Sequence, residues 1–272
     1  MRHGGWETER MQQLDGAPAP ATDLQQLALL GFGHFTTMRV EHGGVRGLSL
    51  HLDRLARDCR TVFDADLDRD RVRDLVSRAI ADEPEPVLVR VTVFDTETAL
   101  GAPGAPSRPR VLVTPRPATG PRPSALRVQT AAFMRDLPAV KHTGLFGALH
   151  ARAEAQRAGW DDAVFADDRG RLSEGPTWNL GFAADGRIVW PEAEALAGVT
   201  AELLARTAAG TRAPVTRDDL AGMCAAFATN AGFGVRAISA IDDVAFDPDH
   251  PALAELERAY RAIPLEALAA RR

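Results

Sequence analysis

Lys141 is the one lysine among the 32 basic residues of this 272-residue chain; all the others are arginine. A guanidinium keeps its charge at any ordinary pH, whereas a lysine amine can lose its proton and attack a carbonyl carbon. GC-rich coding accounts for the scarcity of lysine, but not for the one retained. Lys141 follows Leu137-Pro138-Ala139-Val140 on a loop that leads toward a helical stretch. Glu174 comes 33 residues later, at the end of a hairpin strand. Alone it reads as an exposed turn acid. With Lys141 it completes a pair that suits pyridoxal phosphate: an amine that forms a Schiff base, and a carboxylate that keeps a pyridine nitrogen protonated.

Other chemistries find less support. Gly31-x-Gly33 lacks a third glycine and leads into a strand, so it reads as a tight bend and not a nucleotide loop. The seven histidines have no metal-ligand spacing, and no metal is expected. No serine sits in a nucleophile elbow. Cys59 and Cys224 are far apart, which fits a reduced, cytoplasmic setting. The net charge of −5 leaves no basic footprint for nucleic acid. No run approaches the ~20 apolar residues of a membrane span, and the Gly-rich start has no signal-length apolar core.

The elements that must position these residues follow from periodicity. A short helix is expected around Asp23–Leu30, then a strand over His34–Glu41, a turn at His42-Gly43-Gly44 and a return through Val45–Leu48. Leu52, Leu55, Cys59, Val62 and Phe63 recur at helical spacing within Leu50–Phe63. A second helix covers Arg69–Ala81, ended by Pro84 and Pro86. Strands follow at Val87–Phe94 and Arg110–Thr114. Pro115, Pro117, Pro121 and Pro123 make residues 115–124 a stiff linker candidate. That divides the chain into an N-terminal domain over 1–114 and a C-terminal domain over 125–272. The latter is expected to hold a strand at Leu126–Ala131, the Lys141 loop, a helix over Leu145–Ala158, and hairpins around Asp168-Arg169-Gly170 and Asp185-Gly186. A helix follows Gly198-Val199-Thr200, with a short one at Asp218–Ala221. Strands at Cys224–Thr229 and Arg236–Ile241 and a terminal helix over 251–262 complete it.

On these residues the chain resembles the class IV aminotransferases, the fold-type IV pyridoxal phosphate enzymes. That group includes branched-chain and D-amino acid aminotransferases and aminodeoxychorismate lyase. The resemblance spans roughly residues 30–245. It rests on the runs His34-Phe35-Thr36-Thr37-Met38-Arg39-Val40, His51-Leu52-Asp53-Arg54-Leu55 and Lys141-His142. It continues with Gly159-Trp160-Asp161-Asp162-Ala163-Val164, Gly170-Arg171-Leu172-Ser173-Glu174-Gly175 and Asn179-Leu180. Leu196-Ala197-Gly198-Val199-Thr200, Thr229-Asn230 and Gly234-Val235-Arg236 close the set. Each piece alone is weak; their order and spacing together are specific.

The resemblance implies an α/β (α+β) fold of two domains, a small N-terminal α/β domain and a larger, barrel-like C-terminal domain. It implies pyridoxal 5'-phosphate as cofactor, a small-molecule amino acid or amine as substrate, and a homodimer. By position, Lys141 corresponds to the Schiff-base lysine and general base, and Glu174 to the partner of the pyridine nitrogen. Arg54, Val199, Thr200, Asn230 and Ala231 correspond to the phosphate-binding set. Ala231 stands where relatives often carry a hydroxyl, which leaves backbone donors or Asn230. Phe35-Thr36-Thr37 and Thr229-Asn230 resemble aminodeoxychorismate lyase, and make Thr37 the candidate for assisting proton transfer. Thr143-Gly144-Leu145-Phe146 departs from the relatives, and the Gly/Arg-rich run common in the lyases is missing after Phe94. A lyase releasing 4-aminobenzoate and pyruvate, a branched-chain or D-amino acid type transaminase, and a degenerate non-catalytic member therefore all stay open.

Overall fold

The computed structural model describes residues 12–118, 124–207 and 210–268. The chain divides into two compact units, Met1–Thr119 with Ala267–Arg272, and Gly120–Glu266.

Unit one begins with β1 (Gln13–Leu14), β2 (Ala17–Pro18) and α1 (Ala21–Leu30). Gly31 ends α1 in the left-handed region, φ 59°, with its N–H on the Leu27 carbonyl. The first glycine of Gly31-x-Gly33 is thus a helix C-cap leading into a strand. Next come β3 (His34–Glu41), β4 (Gly44–Arg46), α2 (Leu48–Phe63), α3 (Arg69–Ala79), β5 (Val87–Phe94) and β6 (Arg110–Pro117). Asp68 caps α3 by accepting from the N–H groups of Asp70 and Arg71. Met38 and Val40 of β3, Val87, Val89, Val91 and Val93 of β5, and Val111 and Val113 of β6 pack with Leu52, Leu55 and Cys59 of α2. Alternation then turns Phe35, Thr37, Arg90 and Thr114 to the other face of the sheet.

Two boundaries differ from the sequence reading. β6 runs three residues past Thr114, with Pro115 opposite Val89 and Pro117 opposite Val87. Beyond Val113 β6 has no β1 partner, and an edge strand tolerates proline. These two prolines are therefore strand and not linker; Pro121 and Pro123 lie outside the described residues. The chain's end does not stay with the C-terminal domain either. From Ala267 it belongs to unit one, where Leu268 is buried and its N–H meets the Gly43 carbonyl.

Unit two comprises β7 (Leu126–Ala132), α4 (Phe146–Arg157), β8 (Asp162–Ala166), β9 (Glu174–Gly175), β10 (Trp178–Ala184) and β11 (Arg187–Pro191). It continues with α5 (Val199–Thr207), β12 (Gly210–Ala213), a 3-10 turn (Arg217–Gly222), β13 (Ala225–Asn230), β14 (Gly234–Ile241), β15 (Val244–Ala245) and α6 (Pro251–Ala262). β16 (Leu265–Ala267) follows, where the chain passes from unit two to unit one. The strand order is β12-β11-β10-β13-β14-β7-β8, with β9 on β10. Leu172 bridges Ala166, and the Ser173 N–H reaches the Phe165 carbonyl. The segment entering β9 therefore closes the path from β8 back to β10, giving the expected barrel-like form. Trp178, Leu180 and Phe182 of β10 fill its interior with Val128, Leu172, Ala226, Ala228 and Ile238. The alternate residues face outward, where Phe227 and Val235 pack with Leu204 of α5 and Leu253 and Leu256 of α6. β12 is an addition: Gly210-Thr211-Arg212-Ala213 has no apolar alternation, and only its parallel pairing with β11 makes it a strand. No helix among the described residues is long and apolar enough to cross a membrane.

Candidate active site

The two sequence-derived polar groups of unit two lie close together. Lys141 is half-buried on the loop between β7 and α4. Glu174 opens β9 and is only 5% exposed. Arg135 joins them. Its Nε donates to Glu174 Oε1 at 2.9 Å, and its Nη1 and Nη2 donate to the Val140 carbonyl at 3.4 and 3.3 Å. The residue preceding Lys141 is thereby tied to the carboxylate. The loop itself turns at Leu137, φ 46°, whose carbonyl accepts from Val140 N–H. Two more donors reach Glu174: Leu196 N–H to Oε1 at 3.2 Å and Asn179 Nδ2 to Oε2 at 3.5 Å. Burial pushes the Glu174 carboxyl above its ordinary pKa, against the pull of Arg135, the Leu196 N–H and the Lys141 charge.

A second group lies in the same unit. Asn179 is opposite Glu174 across β9–β10 and opposite Thr229 across β10–β13. Directly opposed residues share a sheet face, so Glu174, Asn179 and Thr229 form one row on the outer face. Asn179 Nδ2 also donates to the Leu196 carbonyl at 2.7 Å. Leu196 leads to Gly198, where α5 begins at Val199 and Thr200. The first N–H groups of a helix lack partners within it and suit an anion. The hydroxyls of Thr200 and Thr229 are buried with no hydrogen-bond partner among the described residues. Asn230 is committed to the turn: Oδ1 accepts from the N–H of Gly232 and Phe233 at 2.9 and 3.0 Å, and Nδ2 donates to the Thr177 carbonyl at 3.1 Å. The Asn230 side chain is thus spent on holding that turn.

Unit one holds the remaining candidates, and it separates them. Arg54 is 6% exposed on α2 and donates from Nη2 to Thr36 Oγ1 at 2.7 Å. Thr36 Oγ1 is also 2.7 Å from His51 Nδ1. Because neighbouring side chains on a strand point oppositely, Thr37 lies on the face away from Arg54. There it sits across from Arg90, whose guanidinium covers the Phe35 ring at 3.6 Å.

Sequence reasoning left three contributors without a role. Arg135 is one arginine among many and lacked a distinguishing signal. Asn179 stood in a matching motif, and His51 headed another; only the structure shows what they touch.

A family model described as amino-transferase class IV matches residues 33–241. The chain belongs to that family, and with it to the pyridoxal-phosphate-dependent enzymes. Among solved structures it is similar to the branched-chain aminotransferase of Thermoproteus uzoniensis, at 20% identity over 92% of this chain and 93% of that one, TM-score 0.83. It is similar to the fold IV transaminase CpuTA1 of Curtobacterium pusillum, at 23% identity over 93% and 98%, TM-score 0.77. A Legionella pneumophila protein described provisionally as a 4-amino-4-deoxychorismate lyase gives 19% identity over 90% and 96%, TM-score 0.79. At these identities the likeness is one of fold. None of the curated proteins compared with the chain matches it in sequence.

The residues present fit the cofactor. A phosphate monoester calls for unspent donors, and the buried Thr200 and Thr229 hydroxyls lack partners among the described residues. A pyridine nitrogen calls for a dry carboxylate, and Glu174 is buried with its charge balanced by Arg135.

Proposed function

We propose that the protein binds pyridoxal phosphate through Lys141 and acts on the amino group of an amino acid or amine. The observation that carries this reading is the Lys141–Arg135–Glu174 arrangement, in which the chain's sole lysine acts electrostatically on a buried carboxylate. Bound pyridoxal phosphate would supply an electron sink for the charge left when the substrate's α-carbon gives up a proton. Lys141 would hold the cofactor and then, as a free amine, carry that proton. Glu174 would accept the N–H of the pyridine ring. The N–H groups of Val199, Thr200 and Ala231, the Thr200 hydroxyl and the Arg54 guanidinium would take the phosphate, with Asn230 shaping the Ala231 turn. These residue roles would serve either an aminotransferase or a lyase, which differ in where Lys141 would return the proton and in whether the substrate carries a leaving group.

Phe35-Thr36-Thr37 and Thr229-Asn230 favour the lyase outcome, with Thr37 assisting the proton and 4-aminobenzoate and pyruvate as products. The missing Gly/Arg-rich run after Phe94 favours a transaminase of branched-chain or D-amino acid type. We also infer a cytoplasmic homodimer from the family resemblance and from two free cysteines.

Borohydride reduction of cofactor-saturated protein, followed by peptide mapping, tests the common core. The label is expected on Lys141, and an unmodified Lys141 would overturn the reading. Incubation with aminodeoxychorismate, and separately with a panel of amino donors plus pyruvate or 2-oxoglutarate, then decides between the two outcomes.

A further inference from the structure

We propose that Asn179 is a positioning residue that locks the Glu174 carboxylate to the turn opening α5, so that one side chain sets the spacing between the two ends of the cofactor site. The inference rests on the reading of that site given above.

Three observations converge on this side chain. Asn179 occupies the middle of the outward row Glu174–Asn179–Thr229. Its Nδ2 reaches both the Leu196 carbonyl at 2.7 Å and Glu174 Oε2 at 3.5 Å, while Leu196 N–H returns to Glu174 Oε1 at 3.2 Å. The contacts form a closed ring: carboxylate, backbone of Leu196, amide, carboxylate. On the other side its Oδ1 lies where a side chain at Gly198 would begin, since a Cβ there would fall 1.8 Å from it. Glycine immediately before Val199 is therefore required by Asn179, and α5 starts from a backbone seated against this amide. The amide's two roles demand a planar group with a donor. Leucine would leave the Leu196 carbonyl without its donor. Aspartate would turn two acceptors toward a carboxylate and a carbonyl.

A side chain needed only for folding would lower stability and leave the relative affinities of two cofactor forms alone. One that sets the distance from Glu174 to α5 changes how much the phosphate adds to binding. The test is titration of Asn179→Ala, Asn179→Asp, Gly198→Ala and the Asn179→Ala/Gly198→Ala double variant with pyridoxal phosphate and with pyridoxal, followed by absorbance, alongside thermal unfolding. Asn179→Ala is expected to weaken pyridoxal phosphate about tenfold and pyridoxal much less, so the preference for the phosphorylated form contracts. Gly198→Ala should do the same by displacing Asn179, and the double variant should be no worse than Gly198→Ala alone. Asn179→Asp, equal in size, carries the test if the alanine variant does not fold. An unchanged preference in folded variants, or additive losses in the double variant, overturns the inference while leaving Lys141 labelling intact. Absence of a Lys141 label in the wild-type protein overturns the reading of the site and this inference with it.

Discussion

Each unit buries a cationic side chain, and each solves the problem differently. In unit two Arg135 and Glu174 are 8% and 5% exposed and neutralise one another at 2.9 Å. In unit one Arg54 is equally buried but donates to a neutral hydroxyl, Thr36, itself bonded to His51. Removing one partner of a buried ion pair costs more than removing a neutral hydroxyl, so the two contacts differ in what they contribute to stability. Arg135 holds the Lys141 loop to Glu174, and Arg54 ties α2 to β3 through Thr36.

The largest expected effect separates chemistry from charge at the unit-two cluster. Lys141→Arg keeps a positive charge beside Glu174, so thermal stability should stay near wild type. Turnover should fall by about 10³-fold or more, and borohydride should leave no label. Substantial residual turnover would remove Lys141 from the reaction.

Next comes the ion pair. Arg135→Met leaves Glu174 buried and uncompensated and should cost about 3–5 kcal/mol in denaturant unfolding. Thr36→Val in unit one removes one hydroxyl and should cost only about 1–3 kcal/mol. Equal losses would erase the proposed distinction between the two arginines.

A third test uses acid. His34 is fully buried against Phe63, neither ring nitrogen has a hydrogen-bond partner among the described residues, and burial lowers its pKa from 6.5 to about 3. Between those values the unfolded chain binds a proton that the folded one refuses. Stability attributable to neutral His34 is thus full above pH 6.5 and is lost as pH falls toward 3, by about 1.4 kcal/mol per pH unit. His34→Phe should flatten the stability–pH curve over that window; an unchanged slope would assign it to other groups.

The smallest stability effect belongs to Thr37, half-buried on the face opposite Arg54. Thr37→Val should move stability by no more than about 0.5 kcal/mol. If Thr37 assists proton transfer, turnover should nonetheless drop by about 10²-fold, and Thr37→Ser should restore most of it. A variant with normal turnover would leave Thr37 a strand residue and nothing more.

Much of this was legible in the sequence because it is local. Alternation marked β3 and β5 to the residue, and the helix over 251–262 was also read at its observed bounds. The run from His34 to Arg54 carries Thr36, His51 and Arg54 within one strand–helix unit, so their nearness, though not which of them touch, follows from the sequence. The Glu174 cluster draws on positions 135, 174, 179 and 196, from four separate segments. No spacing rule connects them.

The sequence by itself determined the candidate groups, one lysine among the arginines and one glutamate at a strand end, and the motif order that marks the family. It determined most elements, because hydrophobic period is written residue by residue. Only the tertiary structure decided which arginine pairs with Glu174, that Pro115 and Pro117 are strand, that Asn230 is spent on its turn, and that Thr36 rather than Thr37 meets Arg54. Each of these depends on which strands are neighbours and in what register. That is set by burial of the whole core and not by the residues concerned.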